Sequence, residues 1–165
     1  VTPRRGLIIT DIQLERCDQL LWELKGLLGC AFLGLVSTSG QPITTACDED
    51  LPETFALASL TASAFAATQQ LATLLNEREF TLLFHEGNAM NLHVAQVSDQ
   101  VLLLITFTHE VPVGKVRLYT QRSIHVLQRI LADDPDADHR VVVDDAFELG
   151  VGHEIDAVFR ERRYD

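Results

Sequence analysis

The chain predicts a mixed α/β (α+β) fold: a five-stranded sheet with one long helix on one face and two helices on the other. Three observations carry this expectation. Hydrophobic patterning alternates in the order helix, two strands, long helix, three strands, long helix. Two strand segments, CAFLGLV at 30–36 and VLLLITF at 101–107, run apolar throughout, so neither side of the sheet centre can face water. At 165 residues, 47% hydrophobic and 22% charged, the chain can bury a substantial core and is not polar enough for disorder.

The first helix opens at Thr10, which forms a capping-box pattern with Gln13. Leu14, Cys17, Leu21, Leu24 and Leu28 then recur at helical spacing until Gly29 stops the run. After the strand at 30–36, Ser39, Gly40 and Pro42 mark a turn, and residues 43–47 return as a second strand. Asp48, Glu49 and Asp50 precede Pro52, negative charge and proline both suiting a helix N-terminus. From there to Leu75 a helix would be about 36 Å long. Leu57, Leu60, Ala64, Leu71 and Leu74 form its expected buried row. Phe55, Ser59, Ala62, Ala66, Gln69 and Thr73 form the opposite row, which carries no charge.

Residues 80–85 and 90–97 predict a hairpin. A three-residue loop, Glu86-Gly87-Asn88, would align Phe84 with Met90, Leu82 with Leu92 and Phe80 with Val94 on one face. The strand at 101–107 is central, and Pro112 opens the last long helix, through about Leu131. The chain thus divides into a domain at 1–132, an acidic linker at 133–138 (DDPDAD) and an extension at 139–165. In the extension, 140–144 could form a strand and 154–163 a short helix with Ile155, Val158 and Phe159 on one side.

Catalytic machinery is not legible. There is no Gly-x-x-x-x-Gly-Lys loop, and Gly114-Lys115 after Pro112 reads as a helix start. Gly-x-Ser-x-Gly and His-Glu-x-x-His are both missing. In the hairpin register above, His85 and His93 share a face but lie about 13 Å apart, too far to close one metal site. The aspartates at 133–138 lack the glycine and terminal glutamate of a calcium loop. Cys17, Cys30 and Cys47 have no metal spacing and read as buried free thiols. A net charge of −11 with scattered Lys and Arg argues against a nucleic-acid binder. No apolar run nears the about 20 residues that span a bilayer. The short apolar stretch after Arg4 and Arg5 does not make a signal peptide, so a cytoplasmic setting is expected. No cofactor, metal or catalytic residue is expected.

The uncharged outer row of the middle helix then requires a cover, either the chain's own short tail over part of it or a second molecule. Ser59, Ala62, Ser63 and Ala66 form a small-residue groove that a second helix could approach closely. An edge strand at 80–85 could pair with its copy across a twofold axis. Helix beside helix and strand beside strand make a homodimer.

Three stretches carry a family resemblance: ALASLTASAFAATQQLATLLNEREF (56–80), HEGNAMNLHV (85–94) and PVGKVRLYTQRSIHVLQRI (112–130). Together they resemble the Roadblock/LC7 domain family, and within it the regulators of bacterial gliding motility. The tail VVVDDAFELGVGHEIDAVFRERR has the layout of those regulators. The resemblance implies a five-stranded antiparallel sheet of profilin-like architecture, a homodimer, and a small Ras-like GTPase of the MglA type docked across the paired middle helices. It implies GTPase activation in cell polarity or motility without an active site of its own. Dimeric scaffolding without stimulation is the alternative. The family's partner contacts map onto Ala62, Ser63 and Ala66, and Ser59, Gln69, Gln70 and Thr73 extend that surface. Phe55, Phe80, Leu82 and Phe84 are the expected dimer interface, and Phe159, Arg160 and Arg162 could reach the GTPase elsewhere.

Overall fold

The capping box at Thr10 forms as the sequence predicts. Its hydroxyl accepts the Gln13 N–H at 3.2 Å, and its own N–H donates to Gln13 Oε1 at 2.9 Å. Helix α1 (Asp11–Leu28) follows and ends at Gly29, whose φ of 66° lets its N–H reach the Lys25 carbonyl. The computed structural model describes residues 7–48 and 53–132. The expectations for Glu49, Asp50 and Pro52, for the linker 133–138 and for the extension 139–165 lie outside those residues.

Beyond α1 the described elements are β1 (Phe32–Ser37), β2 (Pro42–Cys47), α2 (Thr54–Leu74), β3 (Leu82–His85), β4 (Met90–Ser98), β5 (Val101–Thr108) and α3 (Val113–Ala132). The strands make one antiparallel sheet in the order β2-β1-β5-β4-β3. The two apolar runs, β1 and β5, are central and paired, and nearly every residue in them is buried. Phe32, Val36, Val94, Leu102 and Leu104 point to α2, where Ala58 and Phe65 meet them. The alternate residues face the other way. There Thr44 donates to Asp18 of α1 at 2.7 Å, and Gln128 of α3 donates to the Val97 carbonyl at 2.9 Å. Gln13 ties the start of α1 to the end of α3 through the Ile130 carbonyl, at 3.0 Å.

Two expectations are corrected. In the hairpin, Phe84 pairs with His93 and Leu83 with Val94, so the predicted pairing of Phe84 with Met90 is wrong. The shift is by an odd number of residues, which moves side chains to the opposite face. Leu83 joins the α2-side core. Phe84 turns to the α3 side and stacks on Phe107, with ring centroids 6.3 Å apart. His85 and His93 consequently lie on opposite faces. A longer loop accompanies this register: Gly87 N–H donates to Asn91 Oδ1, and His109 Nε2 bonds the carbonyls of Gly87 and Asn88 at 2.9 and 3.1 Å.

The second correction concerns the rotation of α2. Ala58, Thr61, Ala62, Phe65 and Ala72 are its buried residues, whereas Leu60, Leu71 and Leu74 are 70%, 54% and 79% exposed. The row expected to be inside is mostly outside. Small side chains let the helix backbone approach the sheet closely, with Phe65 as the one large anchor. The leucines are left over for the surface.

Candidate functional site

Helix α2 is uncharged from Thr54 to Leu74, within a chain of net charge −11. At 100° per residue, Leu60, Ala67, Leu71 and Leu74 fall on one stripe along its outer side. Leu75, 66% exposed, extends the stripe at its far end, whereas Phe55, 64% exposed, stands about 140° round the helix from Leu60. Such a run of apolar surface is the kind that marks a contact site.

Its hydroxyls do little to wet it. Ser63 donates to the Ser59 carbonyl, Thr68 to that of Ala64 and Thr73 to that of Gln69, at 2.9, 3.0 and 3.2 Å. Each bonds back to its own helix one turn earlier, so its donor is already engaged. What α2 offers outward is therefore mostly methyl and methylene surface.

The predicted site residues divide into three groups. Ser63, Ala66, Gln70 and Thr73 are exposed on the outer side. Ala62 is 5% exposed and packs inward, so in this fold it offers no surface to a partner. Ser59 and Gln69 are half-buried and hold the protein's own backbone. Ser59 donates to the Gly40 carbonyl at 3.0 Å, in a turn where Gly40 has φ 90°. A Cβ on Gly40 would stand 3.0 Å from the Ser59 backbone, so the turn seats closely on α2. Gln69 bonds Phe80 through both ends of its amide.

Of the expected dimer residues, Phe55 lies at the start of the α2 surface. Leu82, 38% exposed, and Phe84, half-buried, lie on β3, an outer strand of the sheet. Phe80 precedes β3 and is half-buried. Reading the sequence missed Leu60, Leu71, Leu74 and Leu75 as surface residues. The available signal was the second helical row, Ala58, Thr61, Ala62, Phe65 and Ala72, whose spacing is as regular as that of the leucines.

Chemistry is sparse elsewhere. Among the described residues, no group of three His, Cys, Asp or Glu is placed to hold a metal, and no helix is long and apolar enough to cross a membrane. Clefts of about 310 and 350 Å³ meet at Ile43, away from the α2 outer face, one beside α1 and one beside the β1–β2 turn. Cys17 and Cys30 are buried, and loss of hydration pushes each thiol up to about 11. Cys47 is half-buried on β2. A thiol reagent at pH 8 should therefore label Cys47 first and the other two only when the chain unfolds. Equal labelling of all three in the native protein would contradict this packing.

Residues 17–107 match the Roadblock/LC7 domain family. Among solved structures, an MglB with a tetrameric arrangement is 31% identical, covering 78% of this chain and 96% of that one, at a TM-score of 0.72. The gliding protein MglB from Thermus thermophilus is 30% identical over 78% and 97%, at 0.72. Myxococcus xanthus MglB is 30% identical over 79% and 100%, at 0.71. A Roadblock/LC7 domain from Streptomyces avermitilis, 13% identical over 70% and 98% at 0.63, shares the fold. No curated protein sequence matches.

Proposed function

The chain belongs to the Roadblock/LC7 domain family, and from that premise we propose that it is an MglB-like regulator of a small Ras-like GTPase of the MglA type. It acts as a homodimer in the cytoplasm, in cell polarity or gliding motility, and accelerates GTP hydrolysis by its partner. The observation that carries this reading is the uncharged outer face of α2, with Leu60, Leu71 and Leu74 more than half exposed. Two copies bring their α2 helices side by side and their β3 edges together. The GTPase then sits across the paired helices, on Ser63, Ala66, Gln70 and Thr73, which lie along one side of the leucine stripe.

This surface has no arginine to stabilise transition-state charge in the way an arginine finger does. In line with the family resemblance, acceleration would then work by holding the GTPase's own catalytic residues in their reactive arrangement. The protein supplies apolar contact and shape, and the nucleotide chemistry stays with its partner.

Phosphate release from a cognate Ras-like GTPase, with and without this protein, is the test. Stimulation supports the proposal. A stable complex with unchanged hydrolysis would replace activation by scaffolding, and no complex would overturn the partner assignment. Ala66→Arg should weaken GTPase binding by at least about 30-fold, the scale of a hot-spot loss. Its position is exposed, so folding should survive; circular dichroism and a pull-down read the two outcomes separately.

A further inference from the structure

We infer that Gln69 is a positioning residue, bracing the chain that enters edge strand β3 against helix α2 and so setting the edge along which two copies pair. The inference rests on the homodimer reading above. Helix α2 ends in a left-handed turn at Asn76, φ 57°. There Glu77 N–H donates to the Ala72 carbonyl at 2.9 Å and Asn76 N–H to that of Thr73 at 3.3 Å. This closes the last helical turn but does not position the residues that follow.

Gln69 reaches into that gap. Its Nε2 donates to the Phe80 carbonyl at 2.5 Å, and its Oε1 accepts the Phe80 N–H at 3.4 Å. A carboxamide carries donor and acceptor on one planar head, so it serves Phe80 as a neighbouring strand would. One residue further, the Thr81 carbonyl accepts the Gln96 N–H at 2.9 Å, which attaches the segment to β4. The chain is thus held from the helix side and then from the sheet side just before β3 begins.

The brace matters because β3 is four residues long and, among the described residues, pairs only with β4. Short strands bonded on one side open locally at low free energy. Adding a strand to an edge requires that edge to be extended and in register. Gln69 supplies that condition from the same helix that carries the exposed apolar face. One side chain thereby ties the two halves of the proposed self-contact, helix and edge, into one rigid unit. Gln69 accordingly works from inside the protomer, in place of the direct partner contact its sequence position suggests.

Gln69→Leu removes both bonds with little change in volume, and Gln69→Glu keeps only the acceptor. Hydrogen–deuterium exchange and sedimentation of the full-length chain read the consequences. For Gln69→Leu, amides at 80–85 should exchange at least tenfold faster with β1 and β5 unchanged, and the dimer should dissociate at tenfold or more higher concentration. Gln69→Glu sets an acceptor-only oxygen against the Phe80 carbonyl and should be at least as impaired as Gln69→Leu in both measurements. A dimer of wild-type affinity in Gln69→Leu would overturn the positioning role alone. Faster exchange across all strands would show a general stabilising role and overturn it as well. A wild-type chain that stays monomeric would overturn the homodimer reading and the inference with it.

Discussion

Phe65→Ala lowers folding stability by about 3–5 kcal/mol, while Leu60→Ala on the same helix changes it by less than about 0.5 kcal/mol. The contrast follows from the rotation of α2. Phe65 is 3% exposed and lies among Phe32, Val36, Val94, Leu102 and Leu104, the heart of the core on that side. Its loss removes an aromatic ring from contact and leaves a cavity between a helix and a sheet that cannot readily collapse. Leu60 is 70% exposed, so truncation gives up little burial, and alanine is at least as good a helix former. Urea unfolding should be followed at one low protein concentration, because the proposed dimer would make apparent stability concentration-dependent. If Leu60→Ala proved as destabilising as Phe65→Ala under those conditions, the helix would be rotated from the orientation described.

That rotation was not legible in the sequence, and the reason is physical. A helix nearly apolar all round has two rows with the same period, and periodicity alone cannot say which is inside. Larger hydrophobic side chains suggest Leu60, Leu71 and Leu74 for the core beside Leu57, the one leucine of that row that does pack against it. Close approach of a helix to a sheet selects Ala58, Thr61, Ala62 and Ala72 instead. The same sequence still showed a helix without charge and nearly apolar all round, which does not depend on the phase. The centre of the sheet was readable for the opposite reason. β1 and β5 are apolar on both sides, so no alternation had to be interpreted, and Leu33, Leu35, Leu103 and Leu104 are fully buried.

The hairpin failed where a polar residue is inside. Phe80, Leu82 and Phe84 opposite Met90, Leu92 and Val94 make a consistent apolar face, and that arrangement leaves His93 for solvent. The fold instead buries His93 opposite Phe84 and Ile105, because β4 takes its register from β5 along most of its length. Of the candidate surface, Ser63, Ala66, Gln70 and Thr73 were readable as outward-facing. Ser59 and Gln69 were not, since a backbone partner distant in sequence leaves no periodic trace.

Acidification provides the second large effect. His93 is 0% exposed, and among the described residues neither ring nitrogen has a hydrogen-bond partner. Burial disfavours the imidazolium, Arg117 opposes it further, and together they lower the pKa from 6.5 to about 4. Below pH 6.5 the unfolded chain takes up a proton at this residue while the native protein does not, until about pH 4. Stability from this group is therefore complete above pH 6.5 and falls by about 1.4 kcal/mol per pH unit within that window. The total loss by pH 4 is about 3 kcal/mol. His93→Leu conserves most of the volume and removes two unpaired polar atoms, so at pH 7 it should lie within about 1 kcal/mol of wild type. On acidification the variant should become the more stable protein, because it has no group left to titrate there. Carboxylates titrate in both proteins, and their effect cancels in the difference between urea midpoints at pH 7, 6, 5 and 4.5. Parallel midpoint curves would mean that His93 is hydrated or hydrogen-bonded in the native state, and would place β4 in a different register.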